Sequence, residues 1–121
     1  KMKEKVTNLC GELSLNGLTG LLSQAALVIS NDTGPLHLAE AVGTPTVGLY
    51  WCGNVINGGA LTRSRHRPLL SWAVRCPLCG TDMAKPERPF SHMLGLCSHR
   101  TSFVNSITVD EVTEAAFSLL E

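Results

Sequence analysis

The spacing of apolar positions changes several times along this chain, and each change marks an element. After Ser14, a good N-cap, Leu15, Leu18, Leu21, Leu22 and Ala25 recur at helical spacing. A short unbroken apolar run over residues 27–30 then predicts a buried strand. Leu36, Leu38, Ala39, Ala41 and Val42 supply the apolar surface of a second helix. Pro35 suits its first turn, Gly43 suits the position after its end, and Pro45 prevents continuation. Residues 46–50 read as the next strand, so residues 14–50 run helix, strand, helix, strand.

Outside that block the pattern is weaker. Residues 6–9 predict a short strand, 51–68 a loop rich in Gly and Asn, and 69–75 a further strand. Residues 76–106 read as an irregular segment. The chain closes with a helix opened by a capping box, Thr108 with Glu111, and carrying Val109, Val112, Ala116 and Leu119 as its apolar stripe. Short links between helices and apolar strands predict an α/β fold, a Rossmann-like parallel sheet with flanking helices. The whole, residues 1–121, reads as a single domain.

Composition narrows the functional classes. The formal net charge is 0, so no global field points to nucleic acid. No apolar run approaches the ~18–20 residues of a membrane span, and no secretory signal is visible. Five cysteines, an odd number, argue against a secreted disulfide framework and for a reducing cytoplasm. The chain starts Lys1-Met2-Lys3-Glu4, which predicts a piece of a longer protein.

The chemistry concentrates between the first strand and the second helix. Residues 31–37 read Asn-Asp-Thr-Gly-Pro-Leu-His. A helix start carries free N–H groups and the positive end of the macrodipole, which suits phosphate. Ligands of open parallel sheets bind beyond the carboxyl ends of the strands, where Asp32, Gly34, Trp51 and Gly53 lie. Gly34 lets a ligand approach the backbone closely and permits unusual dihedrals. Thr33 either donates to a phosphate oxygen or caps the helix. His37, near the third helical position, can stabilise charge on a leaving diphosphate, and Asp32 can accept from sugar hydroxyls. The plainer reading of Asp-Thr-Gly is an ordinary cap.

Asn31 to Ala39, followed by Gly43-Thr44-Pro45-Thr46-Val47-Gly48-Leu49-Tyr50, resembles the signature of the family 9 glycosyltransferases, the ADP-heptose:lipopolysaccharide heptosyltransferases and their relatives. Leu13-Ser14-Leu15 upstream, Cys76-Pro77-x-Cys79, and Ile107-Thr108-Val109-Asp110-Glu111-Val112 resemble the same family. The resemblance implies a GT-B enzyme of two Rossmann-like domains that transfers a sugar with inversion and without a catalytic metal. This chain would be part of the C-terminal, donor-binding domain. Asp32 would contact the donor sugar. Thr33, Gly34, Pro35 and His37 would lie at the diphosphate, and Leu13 near the adenine. The catalytic Asp of the N-terminal domain has no counterpart here, so no residue of this chain is assigned as a catalytic base. The expected partners are an ADP-heptose-like donor, a lipopolysaccharide core acceptor and the N-terminal domain. The expected location is the cytoplasmic face of a bacterial inner membrane. Another nucleotide sugar is the nearer alternative.

Three features stay open. Cys76, Cys79, Cys97 and His99, with His92 nearby, are candidate ligands for a structural zinc, with a thiol pair or plain reduced thiols as alternatives. A zinc-stapled binding module without catalysis is the contrasting functional class. Arg63, Arg65, His66 and Arg67 either face an anionic acceptor or form a solvated loop, and Tyr50 and Trp51 either stack on a ligand or pack.

Overall fold

The computed structural model describes residues 5–83, 98–99 and 101–121. The elements run α1 (Leu15–Gln24), β1 (Val28–Asn31), α2 (Gly34–Ala41), β2 (Thr46–Trp51), α3 (Cys52–Gly58), β3 (His66–Ser71) and α4 (Val109–Leu120). The strands form one parallel sheet in the order β1-β2-β3, with Val28 beside Thr46 and Thr46 beside His66. The Rossmann-like α/β expectation therefore holds, with helix, strand, helix and strand where the apolar spacing placed them.

Alternation along β2 sorts the layers. Gly48 and Tyr50 face α2: a Cβ on Gly48 would meet Leu36 Cδ2 at 2.9 Å and Tyr50 Cε2 at 2.5 Å. Leu49 pairs with Leu69, and Leu69 lines a depression with Glu111, Glu114, Ala115 and Ser118 of α4. Because successive strand residues point to opposite faces, α2 and α4 cover opposite sides of the sheet. Leu36, Ala39, Val47 and Tyr50 are almost fully buried and make the core on the α2 side and in β2. α1 packs on α2, and the Thr44 hydroxyl donates to Leu22 O at 2.8 Å, tying the end of α1 to the turn before β2. Gly43, at φ 82°, makes the left-handed turn that ends α2.

Several expectations are corrected. Residues 6–9 form no strand. Residues 51–68 are not one loop, since they contain α3 and the start of β3. β3 begins at His66 rather than residue 69, because His66 is buried and its Nδ1 lies 2.9 Å from Thr46 Oγ1. In α4 the inward stripe is Val112, Ala115, Ala116 and Leu119, whereas Val109 is exposed. Of the segment 76–106, residues 84–97 and 100 lie outside the described residues. Its start is ordered as a hairpin, with Arg75 bridging Asp82 antiparallel.

Candidate functional site

β1 ends at Asn31, and one further ladder bond carries the chain on: the Asp32 N–H donates to Leu49 O at 3.0 Å. Asp32 is thereby fixed at the carboxyl edge of the sheet. Thr33, in extended conformation, is the N-cap of α2, yet its side chain makes no cap bond. Its hydroxyl turns back instead, donating to Asn31 O at 3.1 Å beside Ser30 Oγ at 3.3 Å. Pro35 brings no N–H, and the N–H groups of Leu36 and His37 both go to Thr33 O, at 3.0 and 3.4 Å. Among the described residues, the N–H groups of Thr33 and Gly34 have no acceptor. The ordinary-cap reading is therefore not realised: the helix start leaves two adjacent donors without a protein acceptor, and donors of this kind can bind an anion.

Gly34 serves this start differently from expectation. Its φ is not in the left-handed region, so unusual dihedrals are not its purpose. A Cβ there would point into open space, which leaves the missing side chain as room for a ligand. His37 is the fourth helical residue, not the third. Its Nε2 lies 2.9 Å from Asp32 Oδ1 and its Nδ1 3.4 Å from Glu40 Oε2. Both contacts are hydrogen bonds only in the doubly protonated ring; a neutral ring can donate to one. Tyr50 Oη donates to Glu40 Oε1 at 3.4 Å. Burial, then the negative charges of Glu40 and Asp32, push the Tyr50 phenol up to about 12. A polar chain thus runs from the core to the surface, Tyr50 to Glu40 to His37 to Asp32.

Two kinds of concavity flank the start of α2. On one side, a cavity of ≈ 250 Å³ is lined by Asp32, His37, Gly53, Asn54, Asn57 and Gly58. On the other, an apolar depression of ≈ 420 Å³ lies between α1 and α2 and includes Leu18, Gly34, Pro35 and His37. Beyond it, a second of ≈ 550 Å³ includes Leu13, Leu18, Leu21 and Pro35. Asp32, Thr33, Gly34, Pro35 and His37 therefore converge, and Leu13 joins them through Pro35. Glu40, Asn54 and Asn57 were missed by the sequence reading. The two asparagines lie on α3, whose Gly- and Asn-rich sequence carries no helical pattern.

Other candidates fall elsewhere. Tyr50 is buried, so it does not stack on a ligand. Trp51 donates from Nε1 to Ala73 O at 2.9 Å and packs against Phe103 at 6.0 Å between ring centroids. A Cβ on Gly53 would collide with the Trp51 ring, so this glycine answers to packing. Arg63, Arg65 and Arg67 lie toward the amino end of β3, the edge of a parallel sheet opposite Asp32. Arg67 is occupied there, donating to Ser118 Oγ at 3.1 Å and Arg63 O at 2.7 Å. Cys76, Cys79 and His99 gather in a separate cluster, and Cys97 and His92 lie outside the described residues. No helix among the described residues is long and apolar enough to cross a membrane.

The sequence profile of glycosyltransferase family 9 (heptosyltransferase) matches residues 1–69. The lipopolysaccharide core heptosyltransferase OpsX of Haemophilus influenzae is 50% identical over 44 residues, covering 36% of this chain and 13% of OpsX. Lipooligosaccharide heptosyltransferase 2 of the same organism is 36% identical over 50 residues, covering 41% of this chain and 14% of that protein. The chain therefore matches only a small part of the length of these curated relatives. No solved structure matches. A profile match over more than half of the residues, on a parallel sheet whose uncapped helix start carries the Asn-Asp-Thr-Gly-Pro-Leu-His run, shows that the chain belongs to glycosyltransferase family 9.

Proposed function

We propose that this chain supplies the donor-binding part of an inverting GT-B glycosyltransferase that moves a heptose from ADP-heptose onto a lipopolysaccharide core. One observation carries the reading. The start of α2 has two unused N–H donors, a polar cavity on one side and apolar ground on the other. A nucleotide sugar has the same order of parts: sugar, diphosphate, base. The sugar would occupy the cavity of Asp32, Asn54 and Asn57, the diphosphate the N–H groups of Thr33 and Gly34, and the base the apolar side at Pro35 and Leu13. The names of the two relatives supply the heptose and the core acceptor.

The transfer is a displacement at the anomeric carbon. An acceptor oxygen forms the new bond, the bond to the diphosphate breaks, and the acceptor proton passes to a carboxylate of the N-terminal domain. The family resemblance assigns no metal to the reaction, so charge on the departing diphosphate falls to the helix start and to His37. His37 is engaged with Asp32 and Glu40 in this structure. Reaching the phosphate means exchanging one carboxylate oxygen for a phosphate oxygen, an exchange of like acceptors. Asp32 then turns both oxygens to sugar hydroxyls. The location at the inner face of a bacterial inner membrane follows from the acceptor.

Calorimetric titration of ADP, GDP and UDP into the full-length protein tests this. ADP-selective binding, weakened by Asp32→Ala, is the expected result. Selective binding of another nucleotide would replace the donor. Absence of nucleotide binding would overturn the reading.

A further inference from the structure

We propose that Cys76, Cys79 and His99 form a structural zinc site that fastens the segment after β3. Cys76 Sγ, Cys79 Sγ and a ring nitrogen of His99 all lie within 4.8 Å of one another, and Cys76 Sγ stands 3.8 Å from His99 Nδ1. Tetrahedral zinc, with Zn–S near ~2.3 Å and Zn–N near ~2.0–2.1 Å, sets its ligand atoms roughly 3.5–3.8 Å apart. The observed triangle, with no side above 4.8 Å, needs a contraction of no more than about 1.3 Å to meet that figure.

The backbone builds half of the site before any metal arrives. Residues 74–83 form a hairpin: Met83 N donates to Val74 O at 2.8 Å, Cys76 N to Thr81 O at 2.9 Å, and Gly80 N to Cys76 O at 2.8 Å. Gly80 sits at φ 72°, a conformation that glycine adopts without strain. This turn folds Cys79 back toward Cys76, so the Cys-x-x-Cys pair is held by main-chain bonds. The hydroxyl of Thr81 lies 3.1 Å from Cys79 Sγ, and that of Thr101 3.9 Å from Cys76 Sγ. A thiolate accepts from such hydroxyls, and hydrogen bonds of this kind orient metal-bound sulfur.

The third ligand comes from far along the chain. His99 is 23 residues beyond Cys76, so a metal bridging them closes a long loop at a point where its two ends already meet. Cys76 is buried, whereas Cys79 and His99 are exposed, which gives the ion an entry path; among the described residues the fourth position falls to water or a further donor. Two sulfurs and an imidazole favour zinc over magnesium or calcium, which take oxygen ligands. The cluster is separate from the start of α2, so its role is to hold the excursion onto the sheet. Two further contacts already dock that excursion: Ser71 Oγ to Ser106 Oγ at 2.7 Å, and Trp51 to Phe103.

The test is metal analysis of the full-length protein, purified in reducing buffer without chelator and dialysed after equimolar zinc. The expected content is about one zinc per chain, falling at least tenfold in the Cys76→Ser/Cys79→Ser variant and clearly in His99→Ala. Cobalt replacement in the unmutated protein does not depend on the variants folding. Intense visible bands of four-coordinate cobalt with a thiolate charge-transfer band are expected. Zinc below about a tenth of an equivalent with no such band would overturn the site. So would zinc retained undiminished in the folded double variant, or a Cys76–Cys79 disulfide found by mass in protein purified under reducing conditions.

Discussion

Two helices of this chain begin at a threonine, and they begin differently. At α4, Thr108 Oγ1 accepts from the Glu111 N–H at 3.2 Å, and Glu111 Oε2 accepts from the Thr108 N–H at 2.7 Å. The half-buried Ile107 and Val112 occupy the positions just before the cap and four residues after it. At α2 the same two positions hold Asp32 and His37, paired at 2.9 Å, and the Thr33 hydroxyl leaves the helix uncapped. An apolar pair at these positions staples the entering chain to the helix. A hydrogen-bonded polar pair there does the same while presenting polar atoms. At α4 side chains accept from the Thr108 and Glu111 N–H groups, whereas at α2 no side chain accepts from the helix start. A helix start without a side-chain cap leaves that stabilisation, about 1 kcal/mol, to solvent or to a ligand.

The largest test of that contrast is catalytic. His37→Ala in the full-length enzyme is expected to lower kcat for heptosyl transfer by roughly a hundredfold or more, the scale of losing one donor to developing charge. The donor KM should move far less. A raised KM with kcat intact would instead assign His37 to ground-state binding.

The next test separates ligand space from fold. Since a Cβ on Gly34 points into open space, Gly34→Ala should leave thermal stability unchanged or slightly raised. Nucleotide affinity should nevertheless fall about tenfold, because the methyl group stands where the diphosphate would approach. Gly48→Ala is the mirror image. Its methyl would run into Tyr50 and Leu36, so it should cost about 1–3 kcal/mol of stability. Equal effects of the two substitutions on affinity and on melting would erase the distinction.

How legible the molecule is from its letters follows the same divide. The block from Ser14 to Trp51 was readable because each boundary has a local cause: a serine cap, a proline in the first helical turn, a left-handed glycine, a second proline. α3 was not readable. Its sequence, Cys-Gly-Asn-Val-Ile-Asn-Gly, holds two glycines, two asparagines and two β-branched residues, so only its packing on β2 and β3 makes it a helix. β3 starts three residues before its apolar run, since its first residues are His66, Arg67 and Pro68. His66 is buried with its Nδ1 against Thr46 Oγ1, and Pro68 is accommodated because, among the described residues, β3 pairs only with β2. The Asp32–His37 pair escaped because it is spaced at neither of the usual helical intervals. Reading the two residues as the positions before the cap and fourth in the helix would have found it.

The polar chain beneath α2 gives a smaller, pH-dependent signal. An unfolded tyrosine ionises near pH ~10, whereas Tyr50 in the folded chain is pushed up to about 12. Its contribution to stability is complete below the unfolded value and falls as pH rises toward the folded one. In that window the slope approaches about 1.4 kcal/mol per pH unit. Tyr50→Phe should remove this slope in alkaline unfolding curves, and the difference in tyrosinate absorbance between the two proteins reads the ionisation directly. No change of slope would mean that the phenol is neither buried nor beside Glu40 in solution.

The smallest effect bears most directly on the two threonines. Thr108→Ala should destabilise the protein by about 1 kcal/mol, because it deprives the Glu111 N–H of its acceptor. Thr33→Ala should cost less than about half of that, since its hydroxyl touches only Asn31 O and Ser30 Oγ. Adding ADP should stabilise both variants as much as the parent, because Thr33→Ala keeps the main-chain N–H proposed to hold the diphosphate and loses only a hydroxyl turned toward Asn31 O. Acid should distinguish them as well. Hydrogen bonds from the Thr108 N–H and hydroxyl hold the Glu111 carboxyl below its usual range. The capping contribution is therefore present above the ordinary carboxylate range and lost as pH falls through the lowered value. Chemical denaturation of both variants, at neutral and acid pH and with and without nucleotide, measures all of this. Equal losses in the two variants, with no stabilisation of either by nucleotide, would mean that the start of α2 is an ordinary cap and not a place kept for phosphate.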